Sequence, residues 1–259
     1  VSAIVVGDAK RDGAAAAREV CDRMLAIAWE RRAEYAFAAP PLAESVTTAR
    51  RLGEAGPGGP VLLIDHCDNC GSGGAQDVMA VVAEILRQRL DDVAIAPIRD
   101  PAAVATMIAA GKGNTVKLSL GGHTDMPAIG REGEPLEISG RVGAITDGEF
   151  TITGPMYTGI RTFLGRTAVL EVDNHGAKVE IVVTERAHEP MDVGVFTHCG
   201  IEPRRKRYIM LKSRIHYRAG FKPIAAHIVE CAGVGVTNAD LSVYRYRKLT
   251  RPIFPLDPI

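Results

Sequence analysis

The strongest constraint on this chain is an alternation between residues 61 and 120. Residues 61–64 are an unbroken apolar run, the pattern of a strand covered on both faces. A glycine-rich stretch follows, Asp68-Asn69-Cys70-Gly71-Ser72-Gly73-Gly74-Ala75-Gln76-Asp77. Val78, Val81, Val82, Ile85 and Leu86 then recur on one side of a helix expected over 75–89. Residues 93–96 read as a second strand. Asp100-Pro101 reads as an N-cap with proline at the first helical position, opening a helix over 101–110 that Gly111 closes. Residues 115–120 are a third strand. Strand, helix, strand, helix, strand at these lengths predicts a parallel sheet with right-handed crossovers.

Outside that stretch the pattern changes. Segments 136–144, 150–153, 167–172 and 178–183 are short strands with period-two alternation or β-branched runs. Asp147-Gly148 and Asn174-His175-Gly176 are hairpin-type turns between them, so this section is expected to be antiparallel. Residues 208–211 return to a buried strand, 214–229 read as a helix despite Pro223, and the tail 244–259 reads as an extended strap. Upstream, 3–6 is a short buried strand, and 13–38 a long helix with Val20, Met24, Ile27 and Ala28 at spacings of three and four. Pro40-Pro41 stops it, because proline cannot continue a helix. A short helix over 42–52 ends at Gly53, and 54–60 is the best linker in the chain. The expected fold class is α/β: a parallel-sheet βαβ core at about 61–120, an antiparallel β-rich section at about 136–185, and a C-terminal strand, helix and strap.

Composition narrows the function classes. The 259 residues carry 31 basic and 31 acidic side chains, so no overall field draws in nucleic acid or an anionic membrane. Arg204-Arg205-Lys206-Arg207, the one dense basic run, reads as a solvated turn. No apolar stretch approaches the roughly 20 residues that span a bilayer. Five cysteines at irregular spacing suit a reducing compartment, and a cytoplasmic location is expected. The start at Val1 rather than Met points to a piece of a longer polypeptide.

The glycine loop is the first candidate site. A loop between a strand end and a helix N-terminus exposes backbone N–H groups, and the helix dipole adds partial positive charge. Gly71, Gly73 and Gly74 allow close backbone approach to a ligand. The spacing fits neither the Walker loop nor the dinucleotide fingerprint. Asp65, Asp68 and Asp77 would repel phosphate, which points to a metal, an amine or general-base work. The plainer alternative is a tight turn with Asp77 in the first turn of the helix. Cys67 and Cys70 form a Cys-x-x-Cys with no second pair near it, and Asp173 with His175 an Asp-x-His at a hairpin tip; both read as structural. Ser213 is a candidate N-cap, and His216 and Arg218 either reach a pocket at that helix start or pair with surface carboxylates. Tyr157, in a loop bounded by Gly154 and Gly159, is a candidate lid or a packing residue.

These segments occur in unbroken order with Gly154-Pro155-Met156-Tyr157, Gly200-Ile201-Glu202-Pro203, Lys212-Ser213, His216-Tyr217-Arg218-Ala219 and the closing Arg251-Pro252-Ile253-Phe254-Pro255-Leu256-Asp257. Together they resemble the C-terminal domain of the microcystinase C (MlrC) family of metallopeptidases. The resemblance implies a two-part zinc enzyme acting on small, linear microcystin-like peptides. Its zinc ligands, an Asp-x-His and a further histidine, would lie in an N-terminal α/β domain that this sequence lacks. The C-terminal domain would close over that site and contribute its loop carboxylates. By motif position Asp68 and Asp77 are then the catalytic candidates. Asn69, Gly71, Gly73, Gly74, Tyr157, Lys212, His216 and Arg218 are the substrate-binding candidates, and no residue here is a metal ligand. Residues 1–53 would continue from the N-terminal domain, and 54–259 would be the C-terminal one.

In the whole enzyme a zinc-bound water would attack the amide carbonyl. Asp68 or Asp77 would orient water or substrate or shuttle a proton, and His216 with Arg218 would steady the oxyanion or a substrate carboxylate. This chain alone is expected to bind no zinc and to be inactive. The family loop reads Asp-Asn-Pro-Gly-Gly-Gly-Ala-Pro-Gly-Asp. Here Cys70, Ser72 and Gln76 stand at three of those positions and both prolines are lost, which leaves the loop less pre-organised. A non-enzymatic module is the rival reading, with the loop holding a small anion and the antiparallel section forming the face of a homo-oligomer.

Overall fold

The computed structural model describes every residue except Val1, Asp12 and Pro57. Val1, and Pro57 of the expected linker, therefore lie outside the described residues. The chain divides into two compact units: Val1–Ala38 with Asp240–Ser242 and Tyr246–Ile259, and Ala39–Ala239 with Val243–Arg245.

In the smaller unit α1 runs over Gly13–Glu30 and a 3-10 turn follows at Arg32–Tyr35. The helix thus ends eight residues before the expected 38. Residues 3–6 form no strand, and Ile4 and Val6 are each 90% exposed. Without a partner ladder, four extended residues leave their backbone groups to water. The periodic stripe of α1 is real but not buried, since Val20, Met24 and Ile27 are exposed. The tail is not an extended strap either. Arg251 pairs with the Asp257 carboxylate, which also accepts the Ile253 N–H at 2.6 Å, so the chain curls on itself.

The larger unit is built on one eight-stranded sheet. Its helices are α2 (Leu42–Glu54), α3 (Ala80–Arg87), α4 (Pro101–Ala110), α5 (Gly194–Thr197) and α6 (Tyr217–Gly220). The strands are β1 (Val61–Asp65), β2 (Val93–Arg99), β3 (Thr115–Leu120), β4 (Leu136–Thr146), β5 (Glu149–Thr151), β6 (Arg161–Phe163), β7 (Thr167–Asn174), β8 (Ala177–Thr184), β9 (Tyr208–Leu211) and β10 (His227–Cys231). The spatial order is β10-β1-β9-β2-β8-β7-β4-β3, with β5 and β6 forming a separate pair. From β10 to β8 the pairing is parallel, and from β8 to β3 antiparallel. The α/β class with a parallel section and an antiparallel section is as the sequence predicts.

The neighbours are not. β9 stands between β1 and β2, and β8, β7 and β4 separate β2 from β3. All four positions of β9 are buried, so it needs a strand on each side and a layer on each face. β3 alternates exposed and buried along its length and takes an antiparallel edge with one face in water. Two further expectations give way. Residues 214–229 hold only the single turn α6, a 3-10 turn around Pro223, and then β10, whose β-branched run joins the open edge of β1. Asp147-Gly148 links the large sheet to the β5–β6 pair instead of closing a hairpin. His175 and Gly176, with φ of 56° and 91°, do close the β7–β8 hairpin as a two-residue primed turn.

Burial alternates along β1 between two cores. Val61 and Leu63 face Val46, Val81, Ile85 and Val104 from α2, α3 and α4. Leu62 and Ile64 face Phe196, Tyr217 and Phe221 on the other side. With both faces sealed, the carboxyl ends of the parallel strands are where the chain can present polar groups, the usual ligand position in open α/β sheets.

Candidate functional site at the strand ends

Polar side chains gather where β1, β9 and β8 end. The register places Ile64 beside Leu211, so Asp65 and Lys212 emerge side by side. Lys212 is fully buried, its ammonium 2.8 Å from Asp65 Oδ2 and 3.1 Å from Asp68 Oδ2, and it also donates to the Val78 carbonyl. One cation cannot offset two enclosed carboxylates. Burial lifts Asp65 above the usual carboxylate range despite the pull of Lys212. Burial would lower Lys212, but Asp65 and Asp68 together hold it above its ordinary value, so it stays charged.

Asp68 organises the loop. Its Oδ1 accepts the Gln76 N–H and its Oδ2 the Val78 N–H, each at 2.9 Å. These bonds, with Gln76 in the left-handed region at φ 63°, turn residues 76–79 away from helix, and α3 begins at Ala80 instead of 75. Gln76 occupies the place of the last glycine in the family loop quoted above. Its side chain compensates by donating to the His188 carbonyl at 2.9 Å and accepting the His188 N–H at 2.8 Å. The N–H groups of Ser72, Gly73 and Gly74 are spent on the carbonyls of Asn69 and Cys70. That consumes the amides an anion would have used. Gly74 is required for the loop's own closure, since a Cβ there would meet the Asp68 carbonyl carbon at 2.7 Å. Gly73, at φ 99°, supplies a turn that other residues rarely adopt.

Asp77 is placed differently. Its Oδ2 accepts the N–H groups of His123 and Thr124, each at 3.1 Å, and the Thr124 hydroxyl at 2.8 Å. Its Oδ1 is buried with no hydrogen-bond partner among the described residues. Asp77 precedes the helix by three residues and is no first-turn carboxylate.

Glu189, which no periodicity or motif marks, lies in the segment after β8 and links two of the predicted groups. Its Oε2 accepts the Asn69 amide at 2.6 Å, and its Oε1 accepts the Ser213 hydroxyl and lies 3.8 Å from His216 Nδ1. Gly71 packs against it, a Cβ there standing 3.0 Å from Oε2. Asn69, Gly71 and His216 are thereby brought together, with His216 44% exposed. Ser213 accepts the Tyr217 N–H at 3.3 Å and so supports the start of α6. Arg218 instead lies along Tyr217, its guanidinium 5.8 Å from the ring centre. Tyr157 is 60% exposed at φ 62° and takes no part in the hydrogen bonds that tie the glycine loop. Asp192, also unmarked in the sequence, accepts the N–H groups of Thr153 and Gly154 and so sets the base of the Tyr157 loop.

Residues 63–248 match the family described as the MlrC C-terminus. The chain belongs to that family. It is also 30% identical over 208 residues to microcystinase C of a Sphingomonas species, covering 80% of this chain and 38% of that protein. A solved structure designated a "putative metallopeptidase" from Mesorhizobium sp. BNC1 shares the fold, with a TM-score of 0.78 over 94% of this chain and 46% of that one at 24% identity. The chain thus spans less than half the length of the relatives it matches.

The donor set of this MlrC domain bears on whether it could itself hold a metal. Among the described residues no group of three or more His, Cys, Asp or Glu side chains is arranged to hold a metal ion. Burial pushes the Cys70 thiol up to about 12 and lifts Cys67 further, which disfavours the thiolates a metal needs. The residues present do not fit a zinc site. Asp173 and His175 sit at the β7–β8 turn, where Asp173 accepts the Gly176 N–H at 2.7 Å. No helix among the described residues is long and apolar enough to cross a membrane.

Proposed function

We propose that the complete protein is a metal-dependent peptidase acting on small peptides, and that this domain supplies the substrate-facing wall at the strand ends. The peptide class rests on the family and on the relative named microcystinase C. Zinc, which the resemblance implies, would be held by residues outside this chain.

The observation that carries the reading is the half-satisfied carboxylate of Asp77. Three donors fix one oxygen while the other is buried without a partner among the described residues. Such an oxygen is costly unless a proton, a water or a substrate N–H comes to meet it. In this reading Asp77 Oδ1 takes up a proton or holds the substrate amide. Asp68 works indirectly: its oxygens shape the loop that aims Asp77, with Lys212 balancing its charge from within. Glu189 holds Asn69 and stands beside His216, whose exposed ring, with Arg218, faces an incoming carboxylate or oxyanion. Gly71, Gly73 and Gly74 let the loop fold tightly enough to present these groups, and Tyr157 covers them.

Asp77→Asn in the full-length protein tests it. Turnover of a small linear peptide should fall by at least about tenfold, the low end for general acid–base groups, with the thermal transition retained. A smaller loss removes Asp77 from the reaction. Full-length protein that holds no stoichiometric metal and cleaves no linear peptide removes the function itself.

A further inference from the structure

The loop that Asp77 grips also walls a cavity of about 180 Å³. Met79, Ala80 and Ala83 line it from the approach to α3 and its first turn, together with Met126, Leu136 and Val234. Gly122 and Thr124 complete it, and both are bonded to Asp77: Gly122 N–H to the Asp77 carbonyl at 2.6 Å, Thr124 to its carboxylate. At the mouth stand the exposed Glu132 and Glu134, the latter 3.8 Å from the Arg131 guanidinium.

We propose that this cavity receives an apolar side chain of the substrate and that its acidic mouth turns acidic side chains away. The ligand class rests on the peptidase reading above; the cavity and its selectivity do not. An apolar space of about 150 Å³ accommodates benzene, so this one holds a branched aliphatic chain or a single ring. Two methionines in the wall let it adapt to either shape. The Glu132 carboxylate at the mouth, and to a lesser degree Glu134 beside Arg131, add like-charge repulsion to the desolvation cost that an acidic group would meet inside. Because Asp77 holds two of the lining residues, filling the cavity and orienting its carboxylate are mechanically joined.

The test is binding of N-acetyl-leucinamide and of the amide of N-acetyl-glutamate to the full-length protein, followed by ligand-observed NMR. Wild-type protein should bind the leucine compound at least tenfold more tightly than the glutamate one. Ala83→Leu, a favourable helix residue on a half-buried position, should fill the space and weaken the leucine compound at least tenfold. Glu132→Gln with Glu134→Gln, on the exposed mouth, should narrow the gap between the compounds at least threefold. No saturable binding to wild type, equal affinity for the two compounds, or a folded Ala83→Leu protein that binds as wild type overturns the proposal. Should Ala83→Leu fail to fold, the mouth variant decides: an unchanged gap overturns the proposal. Protein that binds in the expected pattern yet cleaves no peptide upholds the pocket and counts against the peptidase reading alone.

Discussion

Lys212 carries a charge into a fully enclosed space shared with Asp65 and Asp68, and it also satisfies the Val78 carbonyl. Lys212→Met keeps most of the volume and removes the charge. Two carboxylates then face each other without a cation, at the point where β1 hands over to the glycine loop. Removing one partner of a buried pair costs roughly 3–5 kcal/mol, and stranding a buried carbonyl about 1–3 kcal/mol. The two overlap, so a loss of about 4 kcal/mol is expected, a large share of the 5–15 kcal/mol typical of a domain (roughly). Urea unfolding followed by far-ultraviolet circular dichroism measures it. With a slope of about 3 kcal/mol per molar, the midpoint should fall by more than about 1 M. A loss below about 1 kcal/mol would refute the view that this cluster ties the loop to the sheet.

The pH profile gives an independent signature. Asp65 is raised in the folded state, so the native protein binds more protons than the unfolded chain. Its contribution to stability therefore falls as pH rises from the ordinary carboxylate value near about 4 through the folded value. Lys212 is also raised, and its contribution is fully present below about 10.4 and lost as pH climbs through the higher folded value. Lys212→Met should steepen the acid-side trend and abolish the alkaline loss. Adding Asp65→Asn should restore about half of the lost stability, because it relieves the like-charge pair. A profile parallel to wild type would sink the assignment.

Three further outcomes are expected. Gln76→Gly should be more stable than Gln76→Ala by about 1 kcal/mol in the same urea assay, since both lose the grip on His188 and only glycine sheds the left-handed strain; the reverse order would show that the strain is absent. Cys70, with its thiol near about 12, should react with iodoacetamide at pH 8 on the order of 10³ times more slowly than an ordinary thiol, read by mass spectrometry; a rate within tenfold of free cysteine contradicts its burial. Glu189→Ala strands the Asn69 amide and the Ser213 hydroxyl, costing about 2 kcal/mol, and an unmoved melting temperature would mean that these bonds contribute nothing.

What the sequence makes legible is what local forces decide. The unbroken run at β1 announces a doubly covered strand, and the cap at Asp100 is visible because its bond to the Ala103 N–H, at 2.9 Å, spans only three residues. The α1 stripe predicts a helix correctly, but periodicity says nothing about whether a partner covers it. β10 is invisible from its own residues: after Pro223 the pattern still reads as helix, and only the open edge of β1 selects the strand. Glu189 is hidden for a similar reason. It lies in an aperiodic segment, and Asn69 is 120 residues away along the chain.

The motifs that carry the family resemblance turn out to bind one another. Asp68 and Lys212 stand far apart in the chain, yet β9 runs beside β1 and brings the second to the first. Asn69 and Ser213 meet on the two oxygens of Glu189, and Ser213 in turn receives the first amide of α6. That arrangement separates the two aspartates of the loop. Asp68 has every oxygen engaged and a cation against it, which suits a residue that holds a shape. Asp77 is held by one oxygen only, and the neighbouring 122–124 segment is shaped by that grip. The two carboxylates at the ends of the loop are thus held in different ways. Gln76, in a left-handed conformation between them, gives its N–H to the first and its side chain to His188.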